Sequence, residues 1–242
     1  MDKHDPKDKA RIEAMGGDAE LRNLTRQVFN RACDHRYSYN FKWLGRPIIQ
    51  FPEDIVAMQE VIWDVRPELI IETGIAHGGS LILSASLLHL LGGNGRVLGI
   101  DIDIRPHNRD AIEAHPLADR IDMIQGSSVD ESVAARVRSA AEGKSPVMVI
   151  LDSNHTHDHV QRELQLYSPL VTKGSWLLVF DTVVEYMDPQ AFPDRPWGIG
   201  NNPLTAVREF LKTTDRFVPE TEIDNKLLLS VAPGGWLRCI AD

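Results

Sequence analysis

Five short apolar runs, each closing on a polar residue, alternate with segments of helical spacing along most of this chain. The runs Leu69–Glu72, Arg96–Asp101, Ile121–Gln125, Pro146–Asp152 and Ser175–Asp181 read as strands. Pro146–Asp152 is almost continuously apolar, as a strand buried on both faces should be. Between them the spacing predicts helices over Ser80–Leu91, around Asn108–His115, over Val129–Glu142 and over Thr156–Leu170, with another at Leu204–Thr213. Upstream, Ala19–His35 places Leu21, Leu24, Val28 and Ala32 on one helical face, and Glu53–Val65 turns Ile55, Met58, Val61 and Ile62 inward. Phe217–Ile223 and Lys226–Ala232 resemble a closing antiparallel pair.

The regular βαβ spacing predicts an α/β fold: a Rossmann-like, doubly wound, mostly parallel sheet with a C-terminal antiparallel pair. Three stretches do not fit a period. Residues 1–18 are polar and read as frayed. Tyr37–Gln50 mixes aromatics with glycine and proline and reads as lid-like. Val183–Pro203, rich in proline and aromatics, reads as a long functional loop. Residues 1–50 therefore form an N-terminal helical and lid segment, and 51–242 the α/β domain.

In an open parallel sheet, ligands sit beyond the carboxyl ends of the strands. Those ends here carry Glu72, Asp101, Ser127 with Ser128, Asp152 and Asp181. After the first of them the chain runs E-T-G-I-A-H-G-G-S, a turn holding Gly74, His77, Gly79 and Ser80. It is not G-x-G-x-x-G, but a glycine turn lets a ligand approach the backbone. A carboxylate such as Asp101 at the next strand's end can accept hydrogen bonds from a ribose diol. Together they point to a nucleoside-containing cofactor. Asp103, two residues on, is better placed to start the next segment.

Asp152 opens D-S-N-H-T-H-D-H, and Asp181 ends a neighbouring strand. Two such carboxylates suit a hard divalent cation such as Mg²⁺; they would equally cap the helices that follow. His155, three residues past Asp152, is a base that works near neutral pH. Zinc finds no H-E-x-x-H spacing here, and His157 and His159 read as solvated. Arg105–Arg109 would contact an anion or cap the sheet edge. Trp197 would stack on a substrate ring or pin its loop.

The formal net charge of −9 over 242 residues argues against a nucleic-acid backbone as the main partner. Two distant cysteines make neither a disulfide framework nor a zinc site, and imply reduced thiols in a cytoplasmic protein. The charged N-terminus has no apolar core of a secretion signal, and no apolar run is long enough to span a membrane.

These blocks, with G-I-D-I-D-I-R-P-H-N, V-F-D-T and N-K-L-L-L-S-V-A-P-G-G, resemble the cephalosporin hydroxylase and rhamnosyl O-methyltransferase family from about Tyr39 to Leu237. The resemblance implies the class I S-adenosylmethionine-dependent methyltransferase fold, similar to metal-dependent catechol-type enzymes. It implies that Glu72 through Gly79 and Ser80 cradle the methionine part of the cofactor. Asp101 would take the ribose, Ser127 and Ser128 would lie near adenine, and Asp152 and Asp181 would hold the metal. Catechol-type enzymes carry a catalytic lysine where His155 stands, and an asparagine ligand where Thr182 stands; the third ligand would then be Thr182, or His155 or water would complete the site, or the site would be empty. Antibiotic-pathway relatives have an acidic residue where this chain has Phe180.

The expectation is a Mg²⁺-assisted O-methyltransferase, with His155 and Asp152 in the reaction. The acceptor would be a hydroxyl on a small polar molecule, foremost a sugar, and the relatives suggest a homo-oligomer. Two rivals remain: a non-haem iron hydroxylase built on His155, His157 and Asp158, and a non-catalytic cofactor-binding partner protein.

Overall fold

The computed structural model describes residues 5–242. Its centre is a seven-stranded sheet built from β3 (Leu69–Thr73), β4 (Arg96–Asp101), β5 (Ile121–Gln125), β6 (Val147–Leu151), β7 (Trp176–Val179), β8 (Phe217–Pro219) and β9 (Trp236–Cys239). The order across it is β5-β4-β3-β6-β7-β9-β8. The first five strands run parallel, and β9 pairs antiparallel with both β7 and β8. The expected class I arrangement is therefore present.

Alternation along the strands sorts the core into two layers. Ile70, Met148, Ile150 and Leu178 face one side, against α3 (Pro52–Val65) and α4 (Gly79–Leu91). Ile71, Val149 and Leu177 face the other, against α6 (Glu131–Ala141), α7 (His157–Tyr167) and α8 (Pro203–Phe210). Both faces are covered, which is why these strands read as unbroken apolar runs. The remaining crossover helix is α5 (Pro106–Glu113). None of the helices among the described residues is long and apolar enough to cross a membrane.

The N-terminal part departs from expectation. Residues 1–4 of the stretch read as frayed lie outside the described residues; from Pro6 to Gly17 the chain forms a helix, α1. Asp5 caps it by accepting from Lys7 N–H, and it packs on α9 (Thr221–Lys226). A polar sequence stays helical here because its start is capped and a tertiary partner covers it. Next come α2 (Ala19–Asp34) and a short hairpin, β1 (Phe41–Trp43) with β2 (Arg46–Ile48), inside the segment expected to be irregular.

The closing pair is also relocated. Lys226–Ala232 is not a strand; β9, further on, is the central member of the antiparallel trio. Buried Asp54 accepts from Ser230 Oγ at 2.6 Å and Val231 N–H at 2.9 Å, so this stretch bonds to α3 rather than to a ladder. Gly235 then lets the chain cross the end of β7. A Cβ there would lie 2.0 Å from the Val179 carbonyl oxygen.

Candidate active site

The strand order reverses between β3 and β6, and a crevice at such a switch point is where open α/β sheets bind ligands. A cavity of about 390 Å³ opens there. It is lined by Glu72 and the glycine turn on one side and by Asp152, His155 and Asp181 on the other. A second cavity, about 470 Å³ between α2, α8 and α9, holds none of the strand-end carboxylates.

The glycine turn is braced from three directions. Asp101 Oδ2 accepts from Ile75 N–H at 2.8 Å and Ala76 N–H at 3.2 Å, while Oδ1 accepts from Asp103 N–H at 3.0 Å. Arg46, from the hairpin, donates to the His77 carbonyl at 2.9 and 2.6 Å and to Asn108 Oδ1 at 3.0 Å. Asn108 in turn donates to the Ala76 carbonyl at 2.8 Å, which gives the Arg105–Arg109 stretch a structural role. Ala76 sits at φ 45°, a conformation an alanine adopts only when its surroundings impose it. Gly74, at φ 92°, has no room for a side chain: a Cβ would lie 2.0 Å from the Asp152 carbonyl oxygen. That close approach ties the turn to the loop carrying the second carboxylate.

Glu72 is buried, with Oε2 unpartnered. Burial pushes its carboxyl up to about 8, offset in part by a hydrogen bond from Ser80. Asp152 is raised well above the usual carboxylate range by desolvation first, then by Asp181 and Glu72 nearby. Ligand atoms of Asp152, His155 and Asp181 all lie within 4.8 Å of one another. His155 Nε2 is 3.2 Å from Asp181 Oδ2, and the imidazole edge meets Trp197 with ring centroids 5.5 Å apart. Trp197 also contacts Phe192, so it pins its loop and lines the cavity at once.

Not every expected residue converges. Asp101, Ser127 and Ser128 do not line this cavity. Asp101 faces the turn's own backbone, and Ser128 is buried with Oγ 3.1 Å from His159 Nε2. Thr182 is displaced altogether. Asp181 adopts φ 55°, ψ 21°, and the 3-10 turn that follows, Thr182–Tyr186, rotates Thr182 into the core, where it donates to the Pro233 carbonyl at 2.9 Å. Its hydroxyl is engaged there, and it does not line the cavity.

His157 and His159, expected in solvent, are instead hydrogen-bonded. His157 Nδ1 is 2.8 Å from Thr205 Oγ1, and His159 Nε2 is 3.1 Å from Ser153 Oγ. With His157 held on α8, the iron triad of His155, His157 and Asp158 does not assemble. Gln50, absent from the expectations, lines the cavity and donates to Asp152 Oδ2 at 3.3 Å. It lies in an aperiodic stretch, where no sequence signal marks it.

Residues 35–240 match the model of the rhamnosyl O-methyltransferase/CmcI family. The chain belongs to this family. As a member of it, the protein is an S-adenosylmethionine-dependent O-methyltransferase with the class I fold. A rhamnosyl O-methyltransferase of Mycobacterium bovis is 28% identical over 228 residues, 87% of this chain and 88% of that protein. A structure of CmcI without ligands shares the fold with a TM-score of 0.58 at 21% identity, over 84% of this chain and 78% of that one. An O-methyltransferase from Bacillus cereus, solved with S-adenosylhomocysteine, gives a TM-score of 0.54 at 15% identity, over 84% of this chain and 83% of that one.

The site suits the groups that the rhamnosyl O-methyltransferase/CmcI family implies. A sulfonium cofactor and a divalent ion both bring positive charge. Glu72, Asp152 and Asp181 surround one cavity, one of them with an orphaned buried oxygen and two of them raised in pKa by burial or mutual repulsion. Such a set is relieved by cations.

Proposed function

We propose that this cavity transfers a methyl group from S-adenosylmethionine to a hydroxyl of a small polar acceptor, a sugar above all, with Mg²⁺ held by Asp152 and Asp181. The observation that carries the reading is the opening of the Asp152–His155–Asp181 cluster onto the same cavity as the glycine turn. When bound, the cofactor supplies an electrophilic methyl and the ion supplies positive charge beside the acceptor oxygen.

The chain's own residues do the rest. Glu72, Gly74, His77, Gly79 and Ser80 hold the cofactor's methionine end. Asp101 keeps the turn in shape. His155 is the base: with Nε2–H donating to Asp181 Oδ2, its free lone pair is on Nδ1, which takes the acceptor's proton. Much of the rate comes from holding two reactants in line. Tyr39, Phe192 and Trp197 present aromatic surface to the cavity, which suits the apolar face of a sugar ring. Within the N-terminal segment, the stretch from Ser38 to Gln50 covers the cavity of the methyltransferase domain as its lid.

The test is calorimetric titration of S-adenosylmethionine, followed by S-adenosylhomocysteine release with a pool of sugar and phenol acceptors, with Mg²⁺ or EDTA. Asp152→Asn should keep cofactor binding within a few-fold and lose metal-dependent turnover. His155→Ala should lower kcat by roughly 10²–10⁴-fold with cofactor affinity kept. Unchanged metal dependence in Asp152→Asn refutes the metal part. Absence of cofactor binding in the parent protein refutes the whole.

A further inference from the structure

The ion expected at Asp152 and Asp181 lacks a third protein ligand in β7 and the turn after it. Phe180, where an acidic residue stands in antibiotic-pathway relatives, is buried edge-to-face against Trp236 at 6.1 Å. Thr182 is bonded to Pro233. If His155 is to take a proton, it is not free to coordinate. With His155 serving as the base, a third protein ligand would come from elsewhere in the cavity wall, in place of a water.

Gln50 is in place for this. It stands between the β1–β2 hairpin and α3 and is 2% exposed. Its Nε2 lies 3.3 Å from Asp152 Oδ2, and its Oε1 is buried with no partner. A buried amide with an unused oxygen is an incomplete arrangement that a protein keeps at a cost. Amide oxygens are good ligands for hard cations. Turning the amide over places Oε1 where Nε2 stands, 3.3 Å from the Asp152 oxygen, an orientation that is favourable when a cation between the two oxygens removes their repulsion. Two oxygens sharing an octahedral ion at about 2.1 Å sit roughly 3.0 Å apart, so the spacing is close to that of neighbouring ligands.

We propose that Gln50 is the third protein ligand of the divalent ion, supplied by the N-terminal segment in place of the absent ligand after β7. This rests on the metal reading above. It gives that segment a chemical role, because the segment carries the ligand.

The experiment is titration of Mn²⁺ into the full-length protein, by calorimetry and by electron paramagnetic resonance of the free ion, with no acceptor present. Gln50→Ala should weaken Mn²⁺ binding by roughly 10–100-fold and leave S-adenosylmethionine affinity in EDTA within twofold. Gln50→Glu should bind Mn²⁺ more tightly than the parent, because a carboxylate replaces a neutral oxygen. A Gln50→Glu variant that binds Mn²⁺ no more tightly than the parent overturns the proposal. So does Mn²⁺ affinity in Gln50→Ala within twofold of the parent while Asp152→Asn abolishes binding, an outcome that leaves the metal reading standing. Failure of the parent protein to bind Mn²⁺ at all overturns both. Should Gln50→Ala not fold, Gln50→Met, which keeps the volume and lacks the amide oxygen, decides by the same loss of Mn²⁺ affinity.

Discussion

Replacing Glu72 by glutamine should stabilise the ligand-free protein, and increasingly so as the pH rises. The Glu72 carboxyl moves from an ordinary 4.5 in the unfolded chain to about 8 in the fold, chiefly through burial. A folded-state pKa above the unfolded one means that this group's contribution to stability is complete below pH 4.5 and is lost as the pH climbs through about 8. At about 1.4 kcal/mol per pH unit, the loss between pH 5 and pH 8 is on the order of 3–4 kcal/mol. Glutamine has the same shape and no titration, so it escapes the loss. For a chain of this length that corresponds to a gap in Tm of roughly 10 °C at pH 8, nearly closed at pH 5.

Asp54, raised to about 7, and Asp224, raised to about 6, titrate in the same range. They are present in both proteins and cancel in the difference. The assay is thermal unfolding of the two proteins across pH 5–8 in EDTA, without cofactor. Parallel curves, or a gap that narrows with rising pH, would refute the assignment of a desolvated carboxyl with one unpartnered oxygen at the end of β3. The same variant should bind S-adenosylmethionine more weakly, since it removes a carboxyl that a cationic ligand favours in its charged form.

Gly74→Ala should lower stability by more than the ~1–2 kcal/mol that a left-handed conformation costs a side chain, because its Cβ would meet the Asp152 carbonyl oxygen at 2.0 Å; unfolding midpoints in urea check this, and Mn²⁺ affinity should fall with it as the Asp152 loop is displaced. Asp101→Ala releases the Ile75 and Ala76 N–H groups, so S-adenosylmethionine binding measured by calorimetry should be lost while the fold survives. Thr182→Val leaves the Pro233 carbonyl without its donor, costing about 1–3 kcal/mol of stability, and should leave Mn²⁺ affinity unchanged; a large drop in affinity would restore Thr182 as a ligand.

The periodicity of this chain determines most of its architecture. Strands buried on both faces must be apolar throughout, so β3, β4, β6 and β7 announce themselves in any reading of the sequence. Their polar ends are equally legible, because in a parallel sheet a charged residue after an apolar run has nowhere to go but the carboxyl edge. Glu72, Asp152 and Asp181 meet at one cavity for that reason.

What the sequence left open is where side chains turn once a strand has ended. Asp101 has the right position, and its carboxylate bonds to the backbone of the glycine turn. Thr182 follows Asp181 directly, yet a single left-handed residue sends its hydroxyl into the core. Lys226–Ala232 carries enough apolar residues for a strand, but Asp54 takes up Val231 N–H and Ser230 Oγ from α3. Gln50 has no period to betray it and reaches Asp152 across 102 residues of chain. Burial is a property of composition along a segment, and a sequence displays it. Direction at a chain reversal is decided by one or two backbone dihedrals and by partners far away in sequence, and only the folded protein brings those together.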